Sequence, residues 1–219
     1  MEIRFGDLVL HNDHQIIACN KPAGLPTQED KTGDPSLHRM AQAYCKRDLY
    51  VIHRLDRPSS GLVMFAKSSA AAAHISEQLA KQKTGKTYFA VIRKGLEPRE
   101  GALSGYIRKT GSGKVAVDET QSKGGKLAEL TYKVQVEIDN YLLLEVIPST
   151  GRLHQIRAQL AHAGFPIKGD VKYGGRRKNP DRSIHLHARS MSFIHPTKNE
   201  AMEIICPVPD EMVWKAFEI

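Results

Sequence analysis

Cysteine is scarce in this chain. Cys19, Cys45 and Cys206 are odd in number, far apart and never arranged as CxxC. Neither a disulfide framework nor a zinc knuckle is signalled, and reduced, mostly buried thiols are expected. Aromatics make up only 6% of the residues, with Trp214 the single tryptophan. No stretch approaches the roughly 20 apolar residues that cross a bilayer. The opening MEIRFGDLVLHNDH has no basic start leading into an apolar run, so no signal peptide is predicted and a cytoplasmic location is expected. GxxxxGK[ST], GxSxG, HExxH and GxGxxG are all missing, which removes the usual signs of nucleotide, acyl-transfer and zinc-protease chemistry. Residues 109–114, KTGSGK, look faintly like a phosphate loop but lack the leading Gly and the helix that should follow, so a hairpin tip is expected. His185, His187 and His195 cluster in sequence without a clear Cys or carboxylate partner. Ordinary hydrogen-bonded histidines are therefore expected, and no metal.

What is present is a core and a positive charge. Apolar residues reach 41%, enough for a folded interior, and 32 Lys and Arg oppose 24 Asp and Glu for a net +8. A positive field favours polyanions, nucleic acid foremost. The charge is clustered: Lys81, Lys83 and Lys86 form one group, and Lys168, Lys172, Arg176, Arg177, Lys178 and Arg182 another. Both stand among Gly, Tyr and apolar residues, which suggests folded surface rather than a disordered tail.

The pattern predicts many strands and few helices. Strands are expected over Leu8–His11, Gln15–Asn20, Leu49–Ile52, Gly61–Ala66 and Lys86–Ile92. From Gly101 to Ile147 the chain reads mostly as β, broken at 110–114 and 118–126, with Leu142–Ile147 apolar enough for a central strand. Three short strands follow at Ile184–Leu186, Met191–Ile194 and Met202–Ile205. Asp34 with Pro35 looks like the start of a helix through Tyr44, and Ser68 or Ser69 caps an Ala-rich helix to about Lys83. A third helix is expected from Leu153 to Ala163, and Asp210 should cap a short final one. Strands and helices do not alternate strictly, so the fold class is α+β with a mixed, largely antiparallel sheet and flanking helices. No repeat or long linker divides residues 1–219, which read as a single domain.

Two segments rise above this background. HRLDRPSSGL, residues 53–62, puts a carboxylate between two arginines, and Pro58 keeps Arg57 out of helix, so Asp56 lies on a loop between strands. Alone, this reads as a surface ion pair beside a tight turn. The second is PSTGRLHQIRAQLAHAGFPIKGD, residues 148–170. Leu153, Ile156, Leu160 and Gly164 fall on one helical face with Arg157 inside its arc, while Arg152, Gln155 and Gln159 point elsewhere. A guanidinium held against a core needs a carboxylate, and Asp56 is a plausible one.

HRLDRPSSGL resembles the HRLDxxTSG signature of the RluA-type pseudouridine synthases. NKPAG (20–24), KTYFAVI (86–92) and TGRLHQIR (150–157), the last leading into GFPIKGDVKYGG, resemble further family segments in the expected order. The resemblance implies a pseudouridine synthase fold with a central catalytic cleft, isomerising uridine in tRNA or ribosomal RNA with no cofactor. It implies Asp56 as catalytic aspartate, Tyr88 packing against the target base and assisting proton removal from C5, and Arg157 pairing with the aspartate. Arg54 would fill the space left by the flipped base. Arg152, Lys168, Lys172, Arg176 and Arg177 are the expected RNA contacts. Ser59 replaces the usual Thr, and Ala158-Gln159 stands where many relatives have an apolar residue and His, a change expected to alter packing or an RNA contact. No S4-type RNA-binding module is expected before NKPAG, so recognition would fall on the catalytic domain. The rivals are a non-catalytic RNA-binding module and a metal-dependent nuclease using the histidines and Asp170.

Overall fold

The computed structural model describes residues 4–111, 113–121 and 123–219. They form two compact units, one within residues 4–86 and 187–209, the other within 87–186 and 210–219. Both are α+β, and their strands pair mostly antiparallel.

In the first unit, β1 (Val9–Asn12) and β2 (Ile16–Lys21) form a hairpin, and β2 pairs antiparallel with β4 (Ser60–Ala66). β3 (Tyr50–Val51) also pairs with β4, and β10 (Leu186–Ile194) pairs antiparallel with β11 (Ala201–Ile205). One pairing is parallel, β4 with β10, and it makes the sheet mixed. Every residue of β4 is buried, which explains why its sequence is a continuous apolar run rather than an alternating one. Ile17, Cys19, Val63 and Phe65 pack with Leu37 and Ala41 of α1 (Leu37–Cys45). Burial of each large side chain here contributes about 1.5–3 kcal/mol. Helix α2 (Ser69–Ala80) is capped by Ser68, whose hydroxyl accepts from the Ala71 N–H.

The second unit is an antiparallel sheet in the order β5 (Gly85–Arg93), β9 (Tyr141–Pro148), β8 (Lys126–Glu137), β6 (Glu100–Lys109) and β7 (Val115–Asp118). β9 has a partner on each side, the central position its apolar run predicts. Its core joins Ala90, Ile92, Leu142, Leu144 and Val146 to Ile156 and Leu160 of α3 (Gln155–His162). A short α4 (Met212–Lys215) closes the chain.

Several local expectations shift. Helix α1 is capped by Ser36 rather than Asp34, because the Asp34 carboxylate is taken by Arg57 and Thr32 while the Ser36 hydroxyl accepts from the Arg39 N–H. Glu211, not Asp210, caps α4; its carboxylate accepts from the Val213 N–H, and Asp210 pairs with Lys215. The first two of the three short strands after Ile184 are one strand, β10. Helix α3 starts at Gln155, and its residues from Gln155 to Leu160 are all buried, so that stretch is not amphipathic. The Gln155 amide donates to Glu129 O and accepts from Arg152 N and Thr150 Oγ1, and Gln159 donates to Leu103 O and Ala128 O. Both glutamines therefore stitch strands to the helix, whereas Leu153 lies before it and is exposed. Residues 109–114 are the β6–β7 hairpin tip, closed by Thr110 N to Lys114 O, with Ser112 outside the described residues.

Gly61 shows why the β4–β10 pairing depends on glycine. Its φ is +116°, and a Cβ there would lie 2.4 Å from both the N and the O of Ala188. Gly61→Ala is expected to destabilise by roughly 3 kcal/mol or more, from backbone strain and overpacking together. An unchanged melting temperature would contradict this close approach.

Candidate active site

Asp56 lies on the loop between β3 and β4, where the Ser59 N–H donates to its carbonyl at 3.0 Å. Both of its neighbours are clamped to the NKPAG segment and the residues after it. On one side, the Thr27 hydroxyl donates to Leu55 O at 3.1 Å and accepts from Leu55 N at 3.2 Å. On the other, Gly24 N donates to Arg57 O at 2.8 Å while Arg57 Nε returns a bond to Gly24 O at 2.8 Å. Arg57 also reaches Thr32 Oγ1, Asp30 and Asp34. The two segments quoted separately from the sequence are thus one construction, with Asp56 at its centre.

Lys21 completes that construction. It is fully buried, and its ammonium donates to Pro22 O, Leu25 O and Arg57 O at 3.1, 2.9 and 3.2 Å. Burial pushes its pKa down to about 7, against the opposing pull of the Asp56 carboxylate. Sequence reasoning missed Lys21 and Thr27. A charged residue in a turn reads as solvated, and nothing local reveals three carbonyls converging on it.

The histidines near this loop are neutral and bonded. His187 is buried, its Nε2 faces Cys206 O and its Nδ1 faces Ser60 Oγ at 2.9 Å. The Met64 N–H donates to His53 Nε2 at 3.2 Å. Burial brings both down to about 4, helped by the Lys86 charge at His53. His185 meets Asn179 and Glu211, and His195 meets Asp13, so all three clustered histidines are hydrogen-bonded as expected. The unfolded chain binds more protons at His53 and His187 between pH 6.5 and 4, so stability should fall as pH drops through that window. The two groups together give at most about 2.7 kcal/mol per pH unit. Denaturant unfolding at pH 7, 6 and 5 checks this, and His187→Gln should reduce the slope; a flat profile would contradict it.

The remaining predicted residues lie as follows. Arg54 is exposed on the Asp56 loop. Tyr88 stands on β5 opposite Val146 and packs, partly buried, against the core of the second unit. Arg157 on α3 is only 3% exposed, and its Nε and Nη2 donate to the two carboxylate oxygens of Asp170 at 2.7 and 2.9 Å. The Tyr173 ring covers its guanidinium, 5.0 Å from the centroid. The carboxylate that the buried guanidinium requires is thus supplied in this unit by Asp170, a residue the sequence brought forward only as a nuclease metal ligand. Gln159 is buried, so its departure from the family pattern is one of packing.

Among the basic residues, Arg176 and Arg177 are exposed. Arg152 is exposed with its Nε on Leu127 O, and Lys172 donates to Gly113 O. Lys168 donates to Asn179 Oδ1, stands over the Tyr141 ring, and has its pKa lowered by burial.

Comparison with known proteins identifies the family. The model of the RNA pseudouridylate synthase family matches residues 15–162, more than half of the chain. The tRNA pseudouridine synthase C of Vibrio parahaemolyticus is 31% identical over 96% of this chain and 94% of its own length. The ribosomal large subunit pseudouridine synthase C of Rickettsia conorii is 34% identical over 84% of this chain and 62% of its own. Among solved structures, human RNA pseudouridylate synthase domain containing 4 superposes with a TM-score of 0.77 at 25% identity, covering 96% of this chain and 92% of that one. No helix among the described residues is long and apolar enough to cross a membrane. The chain belongs to the RNA pseudouridylate synthase family, as its RluA-type motifs imply, and is an isomerase that acts on RNA.

Proposed function

We propose that this enzyme converts uridine to pseudouridine in tRNA or ribosomal RNA, with the Asp56 carboxylate as nucleophile or base. The double clamp on Leu55 and Arg57 carries this reading. A loop carboxylate whose two neighbours are each fixed by reciprocal hydrogen bonds is preorganised for chemistry, where a solvated ion pair needs no such support. The names of relatives include both a tRNA and a ribosomal RNA enzyme.

The reaction breaks the C1′–N1 bond, turns the base and joins C5 to C1′, with one proton lost from C5, one gained at N1 and none of the atoms oxidised. One carboxylate suffices, attacking C1′ or removing a proton at C2′, and no cofactor is needed. The target base must leave its stack at a cost of a few kcal/mol, least where the RNA is already looped. Tyr88 offers the base a stacking surface and assists removal of the C5 proton, Arg54 fills the vacated space, and Arg157, which matches the family's arginine, serves the reaction as a fixed positive charge. The two units serve as one catalytic domain, a reading supported by a family match that runs through both. The enzyme works in the cytoplasm.

The test is site-resolved pseudouridine mapping of tRNA and ribosomal RNA, as transcripts treated with the protein and as cellular RNA with and without it. At least one uridine should convert; no pseudouridine in either setting would sink the proposal. RNA affinity should also fall steeply with salt as counterions are released. Arg176→Ala/Arg177→Ala should flatten the slope of log Kd against log salt by about 1 for each phosphate that is no longer neutralised. An unchanged slope removes both arginines from the RNA surface.

A further inference from the structure

We infer that Asp170 is a positioning residue of the isomerisation, acting by fixing the edge and plane of the Arg157 guanidinium. This rests on the reading above, in which Arg157 serves the reaction. Asp170 is 2% exposed and grips the Nε–Nη2 edge through two bonds, so the guanidinium can neither rotate in its plane nor slide along it. Nη1 lies outside that grip. The Tyr173 ring lies beneath the same group, its centroid 5.0 Å from the central carbon. The Tyr173 hydroxyl is itself held by the Val115 N–H at 3.0 Å and by His154 Nδ1 at 2.8 Å.

The backbone of Asp170 is fixed with equal care. Its N–H donates to Ile167 O at 3.0 Å, and its carbonyl accepts from Tyr173 N at 3.1 Å and Gly175 N at 2.8 Å. Gly175 packs directly on it, since a Cβ there would meet Asp170 C, O and N at 2.8, 2.9 and 3.0 Å. Gly169 has φ +88°, and a Cβ on it would lie 2.6 Å from Asn179 Nδ2 and 2.7 Å from Ser183 O. The GDVKYGG segment therefore exists as a mount for one carboxylate.

Stability alone does not account for such a mount. Two buried charges lose hydration that their attraction only about repays, and apolar side chains of the same volume often do as well or better. What an ion pair supplies and an apolar pair cannot is a guanidinium whose direction is set before RNA arrives.

The experiment compares Asp170→Asn, Asp170→Glu and Arg157→Gln, and the double variant Asp170→Asn/Arg157→Gln. Thermal melts, RNA Kd and single-turnover rate are measured for each. Asn presents an N–H₂ to one of the two guanidinium donors, so the grip is lost while the volume is kept. Asp170→Asn should slow turnover about 100-fold, the scale of an ångström-sized misplacement, with Kd changed less than about threefold. Asp170→Glu, which keeps the charge, should recover about tenfold of that loss. In the Arg157→Gln background, Asp170→Asn should cost under about threefold more, because its effect passes through Arg157. A wild-type rate in folded Asp170→Asn overturns the inference, as does an undiminished effect in the Arg157→Gln background. Should Asp170→Asn fail to fold, Asp170→Glu decides: a wild-type rate with its carboxylate displaced by one methylene overturns the inference. Asp56→Asn separates the two levels. Activity in that variant refutes the reading of the reacting centre, whereas an inactive Asp56→Asn beside a wild-type Asp170→Asn refutes only the role of Asp170.

Discussion

Asp56→Asn is expected to slow isomerisation by on the order of 10⁴-fold or more while RNA Kd changes less than about threefold, as removal of a reacting group does elsewhere. Asn has the size of Asp but neither the nucleophilicity nor the basicity. The clamps around position 56 act on Leu55 and Arg57 backbone atoms, through Thr27, Gly24 and Lys21, so they persist in the variant. RNA affinity is expected to rest on Lys and Arg facing phosphates, and it should persist as well. One side effect is specific: the Asp56 charge raises the Lys21 pKa against burial, so its loss should lower that pKa further. The measurement is single-turnover release of tritium from C5 of the uridine, with enzyme in excess over RNA. Turnover by a verified preparation free of wild-type protein would remove Asp56 from the chemistry.

Arg157→Lys should slow turnover roughly 100-fold or more although the charge is kept, because misorientation of this size costs about that much. The guanidinium spans both Asp170 oxygens, and its central carbon lies over the Tyr173 ring. A lysine ammonium is a point charge on a mobile stem; it meets one oxygen at a time and presents no plane to the ring. Arg157→Ala should be worse and should also destabilise the fold by roughly 3–5 kcal/mol, since it leaves the buried Asp170 carboxylate without its cation. Melting temperature together with single-turnover rate separates the two effects. If Arg157→Lys melts and turns over like wild type, Arg157 is a general electrostatic or structural residue.

Much of the fold is legible locally. Both strands of the first hairpin, the buried run of β4, the Ser68 cap of α2 and the central place of β9 follow from apolar patterning and capping chemistry. The errors occur where two segments compete for one group. Asp34 is a good cap in isolation, but Arg57 claims its carboxylate from 23 residues away, and Ser36 caps instead. Gln155 and Gln159 read as the wet face of a helix; they are buried because strand carbonyls need their amides. Helical periodicity records side-chain polarity, and it cannot tell a solvated amide from one that finds its partners inside.

The amino-acid sequence by itself determined the family and the identity of its candidate catalytic residues. Four motifs in order are a property of the chain, and the HRLD segment names Asp56 without reference to any contact. It also determined the net positive charge that suits a polyanionic substrate. Only the tertiary structure decided what holds those residues. It brought NKPAG against the Asp56 loop, buried Lys21 under three carbonyls, ran β4 parallel to β10 over Gly61, and gave Arg157 to Asp170. These are long-range pairings. Their partners are selected by which buried polar and charged groups must be satisfied once the chain has folded, and no local pattern along the chain carries that selection.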